Sequence, residues 1–164
     1  MRLRKTTTAL LAVLVTLFTG CAGESNCPLT TIGAARFQFL DSQTHKAVTF
    51  TQAVTVTGIA TIADTLHVDT LFNQPKDYMS LPLSYTDRTT YVMHYTERMR
   101  DTIWVTHHNI PFVSDIECPA MMYYHVQELR YTTNALDSII LVNPEITHEE
   151  RINFNIYYST ANAE

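Results

Sequence analysis

The chain has 164 residues, a formal net charge of −5 at neutral pH, a hydrophobic fraction of 46% and only four glycines. That hydrophobic fraction and the scarcity of glycine exclude collagen-like and intrinsically disordered classes. The acidic balance argues against nucleic acid as a partner, because a phosphate backbone attracts basic surfaces. For the same reason it argues against electrostatic adhesion to anionic lipid.

The first twenty residues have the organisation of a secretory signal. Arg2, Arg4 and Lys5 precede an apolar run from residue 9 to residue 18. A run of about ten residues is too short to span a bilayer, which needs roughly 18 or more. We therefore expect residues 1–20 to be removed as a lipoprotein signal peptide. The loss of these three of the eleven basic residues takes the net charge from −5 to −8.

The sequence Leu17-Phe18-Thr19-Gly20-Cys21 resembles the bacterial lipobox, in which a small residue precedes a cysteine that is lipidated on sulfur. Phe18 departs from the pattern, because leucine is usual there. Only a thiol forms the diacylglyceryl thioether, and several acyl chains, each adding about 0.8 kcal/mol per buried methylene, give effectively permanent attachment. We expect Cys21 to be lipidated and to become the new N-terminus. The alternative is an ordinary signal cleaved nearby, which leaves Cys21 as a plain thiol.

Lipidation of Cys21 would leave an even pair of cysteines, Cys27 and Cys118, in a compartment where disulfides persist. A bond between them would close a loop of 91 residues, and the chain-entropy model assigns such a loop about 4 to 5 kcal/mol at best. The alternative is two unpaired thiols. We expect residues 21–29 to form a lipidated tether and residues 30–164 to form a single domain.

Alternation of apolar and polar side chains with a period of two dominates the rest of the chain. It is clear in Ala35–Phe39 and clearest in Ile152–Tyr158, and no 3.6-residue periodicity continues beyond two turns. Eight or nine short strands joined by turn residues predict an all-β fold, an antiparallel β-sandwich. A β-barrel is the alternative.

Individual segments carry finer expectations. Pro82 limits a short strand and places it at a sheet edge, whereas Ser138–Val142, apolar on both sides, is typical of a central strand. The apolar parity flips after Gly58, which indicates a bulge. Thr147–Arg151 has a capping pattern that would suit a single helical turn.

The catalytic arrangements to look for in this sequence are a zinc site and a nucleophilic triad. The chain has seven histidines: His45, His67, His94, His107, His108, His125 and His148. His94 and His107 lie on neighbouring predicted strands and could converge, whereas His107 and His108 are adjacent and point to opposite faces. No short ligand spacing typical of zinc and no Gly-x-Ser-x-Gly elbow occurs. We expect no catalytic residue, metal site or cofactor; the alternative is a metal-dependent or glycan-processing hydrolase using His94, His107 and nearby carboxylates.

Several short segments are similar to one known family. They are the lipobox, Cys27-Pro28, Ala35–Leu40, Leu81-Pro82-Leu83, Thr90-Tyr91, Val113-Ser114 before Cys118, Asp137-Ser138-Ile139 and Val142-Asn143-Pro144. Together they resemble a family of small Bacteroidota lipoproteins known only as a domain of unknown function. Pro119 follows Cys118, where that family often has glycine. The resemblance implies an exported compartment, a single domain and paired cysteines, and it supplies no activity.

Four triplets consist of aspartate, a hydroxyl residue and an aliphatic residue. Their hydroxyl residues are Thr65, Thr70, Thr102 and Ser138. The pattern looks like the acceptor signature for periplasmic O-glycosylation in that bacterial group, and Thr65 and Thr70 are the best candidates. The same triplet is typical of a turn that enters a strand, with the aliphatic residue inward.

These observations together predict an exported, lipid-anchored envelope protein with a non-enzymatic binding or structural role. Its expected partners are the membrane, through the lipid, and an envelope protein or glycan. Tyr123-Tyr124 and Tyr157-Tyr158 could contribute to a sugar- or peptide-binding face, although core packing is the expected use of most of these rings. Surface-directed lipoproteins of that group carry several acidic residues after the lipidated cysteine. Only Glu24 is present here, which favours the periplasmic face of the outer membrane over the cell surface.

Overall fold

The computed structural model describes residue 27 and residues 33–49, 54–62, 65–74 and 77–159. The predicted signal peptide and Cys21 lie outside these residues. Ten strands occur along the described chain: β1 (Ala34–Asp41), β2 (Val54–Ile62), β3 (Thr65–Gln74), β4 (Tyr78–Pro82), β5 (Arg88–His94), β6 (Arg100–Phe112), β7 (Met121–Tyr131), β8 (Ser138–Leu141), β9 (Glu145–Ile146) and β10 (Phe154–Tyr158). No helix occurs in the described ranges.

The strands form two sheets. One has four strands in the order β4-β1-β10-β8, and the other has six in the order β3-β2-β5-β6-β7-β9. They pack face to face without closing on each other, so the predicted all-β sandwich is confirmed and the barrel alternative is wrong. Nine strands have four residues or more, and the tenth, β9, has only two.

One strand pair departs from the antiparallel pattern. β1 and β10 run parallel, from Phe37 opposite Phe154 to Asp41 opposite Tyr158, whereas the other ladders are antiparallel. Parallel neighbours need a long connection. Here that connection is nearly the whole domain, because β1 and β10 are the first and last strands described.

The core lies between the sheets and takes alternate residues along much of β1, β4, β6 and β10. In β1, Ala35, Phe37 and Phe39 are buried, whereas Arg36 and Gln38 between them are partly exposed. This is the alternation that the sequence predicted. Its physical cause is the pleat, which points successive side chains to opposite faces.

Phe37 joins the two sheets through ring contacts. Its ring stacks on Phe154 of β10 with centroids 4.5 Å apart, and it meets Tyr91 of β5 edge to face at 5.8 Å. The hydroxyl of Tyr91 donates a hydrogen bond to the carbonyl of Pro82 at 2.9 Å. Because that polar atom has a partner, the whole Tyr91 ring can be buried.

Of the two strands whose place in a sheet was predicted, one lies where expected and one does not. β4, which ends at Pro82, pairs only with β1 and lies at an edge, as predicted. β8 also lies at an edge, beside β10, so the expectation of a central strand at Ser138–Val142 is wrong. Ile139 is buried but Ile140 is 51% exposed. Ser138–Val142 has apolar residues on both faces because Ile139 packs in the core while Ile140 lies at the surface.

Two local expectations also change. The register of β2 against β3 shifts between Val56 and Thr57, just before Gly58 rather than after it. No helical turn forms at residues 147–151. Instead the hydroxyl of Thr147 accepts a hydrogen bond from the amide of Glu149 at 3.1 Å. Such local side-chain bonds compete with a helix for the same backbone groups.

A buried carboxylate holds the chain where it crosses from one sheet to the other. Asp101, in β6, accepts hydrogen bonds through Oδ1 from the Thr132 hydroxyl and the Asn134 amide, both at 2.7 Å. Through Oδ2 it accepts from the amides of Ala135 at 2.9 Å and Leu136 at 3.0 Å. These donors lie between β7 and β8, so Asp101 satisfies the backbone of the crossover.

We predict that Asp101→Asn lowers the free energy of unfolding by about 2 to 4 kcal/mol, because an amide nitrogen cannot accept from donors that remain buried. Urea unfolding followed by circular dichroism measures the change. The control is Asp137→Asn, since Asp137 is exposed in the same segment and its neutralisation should change stability little. Equal losses in the two variants would contradict the assignment.

Candidate functional site

The outer face of the six-stranded sheet carries the most distinctive set of side chains outside the core. On β6, Ile103 and Val105 are buried between the sheets, whereas Thr102, Trp104 and Thr106 alternate with them and are partly exposed. Trp104 is the only tryptophan in the chain. A half-exposed tryptophan on an outer sheet face presents a flat apolar surface to a ligand.

A cleft of about 260 Å³ opens on this face around Trp104, and we call it the Trp104 cleft. Its lining residues come from three adjacent strands: Arg88, Trp104, Thr106, Glu128 and Arg130. Strand register explains why they meet. Thr106 lies opposite Arg88 on one side and Glu128 on the other, while Trp104 lies opposite Arg130.

An irregularity in the β6–β7 ladder lies at the cleft. Thr106 pairs with Glu128 but His107 pairs with Val126, so the register shifts and Gln127 is the extra residue. An extra residue bends its strand and increases the local twist. The sheet beneath the cleft is therefore more strongly twisted next to Thr106 than a regular ladder would be.

The charges of the cleft are unequal. Arg130 pairs with Glu128, with Nε and Oε1 2.8 Å apart. Arg88 forms no ion pair with any residue in the described ranges. A guanidinium without a carboxylate partner offers a planar set of donors that fits a carboxylate or phosphate. The cleft thus carries an excess positive charge on an acidic protein.

His107 follows the cleft residue Thr106 on β6. Its side chain points to the opposite, inner face of the sheet and is buried. Its Nε2 is 2.8 Å from the Thr89 hydroxyl and its Nδ1 is 2.7 Å from Oδ1 of Asn109. The Asn109 amide group donates to the carbonyl of Tyr85 at 2.7 Å, so we assign its oxygen as the acceptor and Nδ1 as the protonated nitrogen. Burial lowers the pKa of His107 below its usual 6.5, and the bond to Asn109 opposes this shift.

The structure separates the two histidines on which the hydrolase alternative depends. In the β5–β6 ladder, His94 lies opposite Arg100 at one end. Thr106, the residue before His107, lies at the other end, opposite Arg88. Seven strand positions separate the two sites, or about 23 Å. His94 Nε2 is 3.1 Å from the Thr57 hydroxyl. In the described part of the chain, no three histidine, cysteine or acidic side chains form a group that could hold a metal ion.

The two cysteines predicted to pair lie within bonding distance. Their Sγ atoms are 2.08 Å apart and their Cα atoms 5.4 Å apart. Cys118 lies in the connection between β6 and β7. The pairing therefore joins the beginning of the domain to one end of the six-stranded sheet.

The predicted glycosylation residues are dispersed. Thr70 is exposed on β3, whereas Thr102 and Ser138 are partly exposed on β6 and β8. Thr65 is the first residue of β3. The aspartate before Thr102 is the buried Asp101, so this triplet has a structural role of its own. Glycosylation at all four positions stays a prediction.

Sequence reasoning missed the charged residues of the cleft. Arg88, Glu128 and Arg130 are single charges on three segments, and no spacing rule links them. The one usable signal was Trp104, since a tryptophan between Ile103 and Val105 must face away from them. Its neighbours depend on strand pairing, which the sequence does not show.

The fold and the cleft define a class: an all-β sandwich with an open cleft on one outer sheet face. The model of a family of unknown function (DUF6452) matches residues 53–158, which is more than half of the chain. The chain therefore belongs to that family, and the predicted membership of a domain of unknown function is confirmed. No curated protein and no solved structure matches the chain. Within the described residues, no helix is long and apolar enough to cross a membrane.

We predict that His107 makes stability depend on pH. Unfolded, its imidazole takes up a proton as the pH falls through 6.5, whereas burial holds the folded pKa lower. This contribution to the free energy of unfolding is fully present above pH 6.5 and is lost as the pH falls from there towards the folded pKa. Urea unfolding at a series of pH values measures the slope.

His107→Gln should flatten that slope over the same range. The control is His108→Gln, because His108 is its exposed neighbour on the same strand. An unchanged slope in His107→Gln would show that another group titrates.

Proposed function

We propose that this protein is an exported lipoprotein, anchored through Cys21 to the periplasmic face of the outer membrane, that binds an acidic glycan without catalysis. The Trp104 cleft is the binding site. The observation that carries the proposal is the juxtaposition of Trp104 with Arg88, a guanidinium without an ion-pair partner among the described residues.

The lining chemistry suits a sugar that bears a carboxylate. The apolar C–H face of a sugar ring packs on an indole ring, and Trp104 offers that surface. The Thr106 hydroxyl and the Glu128 carboxylate can hydrogen-bond to sugar hydroxyls. Arg88 supplies a charge-assisted pair for the carboxylate, while Arg130 is already paired with Glu128.

The cysteines support an exported location. Disulfides persist in oxidising compartments, and Cys27 and Cys118 are within bonding distance. Cys21 is then the remaining one of the three cysteines, at the position where the lipobox pattern places the acylated thiol. Both observations point to the same compartment.

We predict that a short oligogalacturonide changes the fluorescence of Trp104 saturably, whereas a neutral maltooligosaccharide does so weakly. Because Trp104 is the only tryptophan, the signal reports on the cleft directly. Arg88→Gln should weaken binding by about tenfold or more, since a charged hydrogen bond contributes roughly 1.5 to 3 kcal/mol.

The matched control is Arg98→Gln, an exposed arginine in the β5–β6 hairpin, which should bind with unchanged affinity. Equal weakening in both variants would mean that net charge alone attracts the sugar. No fluorescence change with either sugar would overturn the proposed ligand class.

We predict that the mature chain begins at Cys21 and carries acyl groups. Intact-mass measurement should show an excess over the polypeptide from residue 21 that matches diacylglycerol plus an amide-linked acyl chain. The native protein should enter the detergent phase of a Triton X-114 separation, and Cys21→Ser should stay in the aqueous phase. A mature chain with an unmodified Cys21 thiol would contradict the anchor, and a further hexose-sized excess would indicate O-glycosylation.

A further inference from the structure

Exposed apolar side chains concentrate at the end of β6 and in the connection that follows it. Four large ones lie within seven residues, and their exposed fractions are 38% for Ile110, 37% for Phe112, 55% for Val113 and 95% for Ile116. We call these four residues the apolar tip. Single exposed apolar residues are ordinary, whereas a cluster of them indicates a contact surface.

Ile116 occupies an unusual position for its residue type. The amide of Cys118 donates to the carbonyl of Asp115 at 3.0 Å, which closes a turn with Ile116 and Glu117 at its centre. The Ile116 amide also donates to the Asp115 carboxylate at 2.6 Å. Such turn positions favour proline and small polar residues. A nearly fully exposed isoleucine there contributes almost nothing to the core.

Two contacts place the beginning of the domain beside this turn. Cys27 is bonded to Cys118, two residues after Ile116. The backbone of Gly33 then passes so close to β7 that a side-chain carbon there would lie 3.0 Å from the carbonyl oxygen of Met122. The N-terminal segment therefore meets the domain at the end that carries the apolar tip.

The length of chain before Cys27 limits how far the anchor can lie from the tip. Cys21 precedes Cys27 by six residues, which span at most about 20 Å when fully extended. Acyl chains on Cys21 would hold the bilayer within that distance of Cys27, whose Cα lies 5.4 Å from that of Cys118. The turn at Asp115–Cys118 is then the part of the described domain tethered closest to the membrane.

We propose that the apolar tip inserts into the interface of the bilayer that holds the acyl chains of Cys21. This inference rests on the lipid anchor of the proposed function. The occupant is the apolar and zwitterionic zone of the bilayer rather than an anionic surface, because Asp115 and Glu117 add negative charge beside Ile116. The contact is therefore insensitive to salt, unlike one made by basic residues.

The contact also gives the domain an orientation. Trp104 precedes Phe112 by eight positions on β6, or about 26 Å along the strand. With the apolar tip at the membrane, the Trp104 cleft stands clear of the headgroups on the side of the domain. A long polysaccharide can then pass the cleft without meeting the bilayer.

Tryptophan scanning in vesicles tests the contact on the full, acylated chain. In a Trp104→Phe background, Ile116→Trp is compared with Met99→Trp in phosphatidylcholine vesicles containing brominated lipid. Met99 is the matched control because it is 44% exposed and lies beyond the opposite end of β6. We expect Ile116→Trp to lose most of its fluorescence, with a blue-shifted emission that high salt does not reverse, and Met99→Trp to keep nearly all of its fluorescence.

The outcomes separate the two proposals. If the acylated protein does not partition into vesicles at all, the lipid anchor fails. If it partitions but bromine quenches the two variants equally, the anchor stands and the apolar tip is overturned as a membrane contact. If Ile116→Trp is blue-shifted in detergent as in vesicles and is not quenched by bromine, the tip contacts a second copy of the chain, which also overturns the proposal. Near-native circular dichroism of both variants establishes that they fold.

Discussion

The bond between Cys27 and Cys118 is the constraint on which the proposed orientation of this molecule depends. It joins the N-terminal end of the domain to the β6–β7 connection across 91 positions of sequence. Without it, a short tether could leave the domain free to turn in any direction above a membrane. With it, Cys27 is held at one end of the six-stranded sheet. The orientation proposed for the domain at a bilayer depends on that one attachment.

β6 shows how one strand serves both the core and the surface. Ile103 and Val105 fill the space between the sheets, and the buried Asp101 holds the crossover at one end of the strand. Between these residues the pleat turns Trp104 outward. Because its neighbours on both sides are fixed in the core, Trp104 lies on a rigid surface, which lowers the entropy cost of ordering it around a ligand. The cleft depends on the core in this direct sense.

The sequence predicted those parts of the structure that depend on neighbours in the chain. The alternation in Ala35–Phe39 identified a half-buried strand, and Pro82 identified an edge, because both effects act within one strand. It did not predict the parallel pairing of β1 with β10 or the ladder that brings Arg88 and Arg130 to Trp104. Those depend on register between distant segments, which side-chain pattern does not encode. The edge position of Ser138–Val142 was missed because an apolar run does not reveal how many neighbours cover it.

The energies of the two proposed membrane contacts differ in scale, and this difference assigns a separate role to each contact. Burying the side chain of Ile116 contributes about 1.5 to 3 kcal/mol, whereas acyl chains contribute about 0.8 kcal/mol for each buried methylene. In this proposal the lipid supplies attachment, and the apolar tip adds little to it. What the tip supplies is a second point of contact beside the first. A domain fixed at one flexible point rotates freely, whereas a second contact of even 1 to 2 kcal/mol favours one orientation by roughly tenfold. In the proposed arrangement, that bias keeps the Trp104 cleft clear of the bilayer for most of the time.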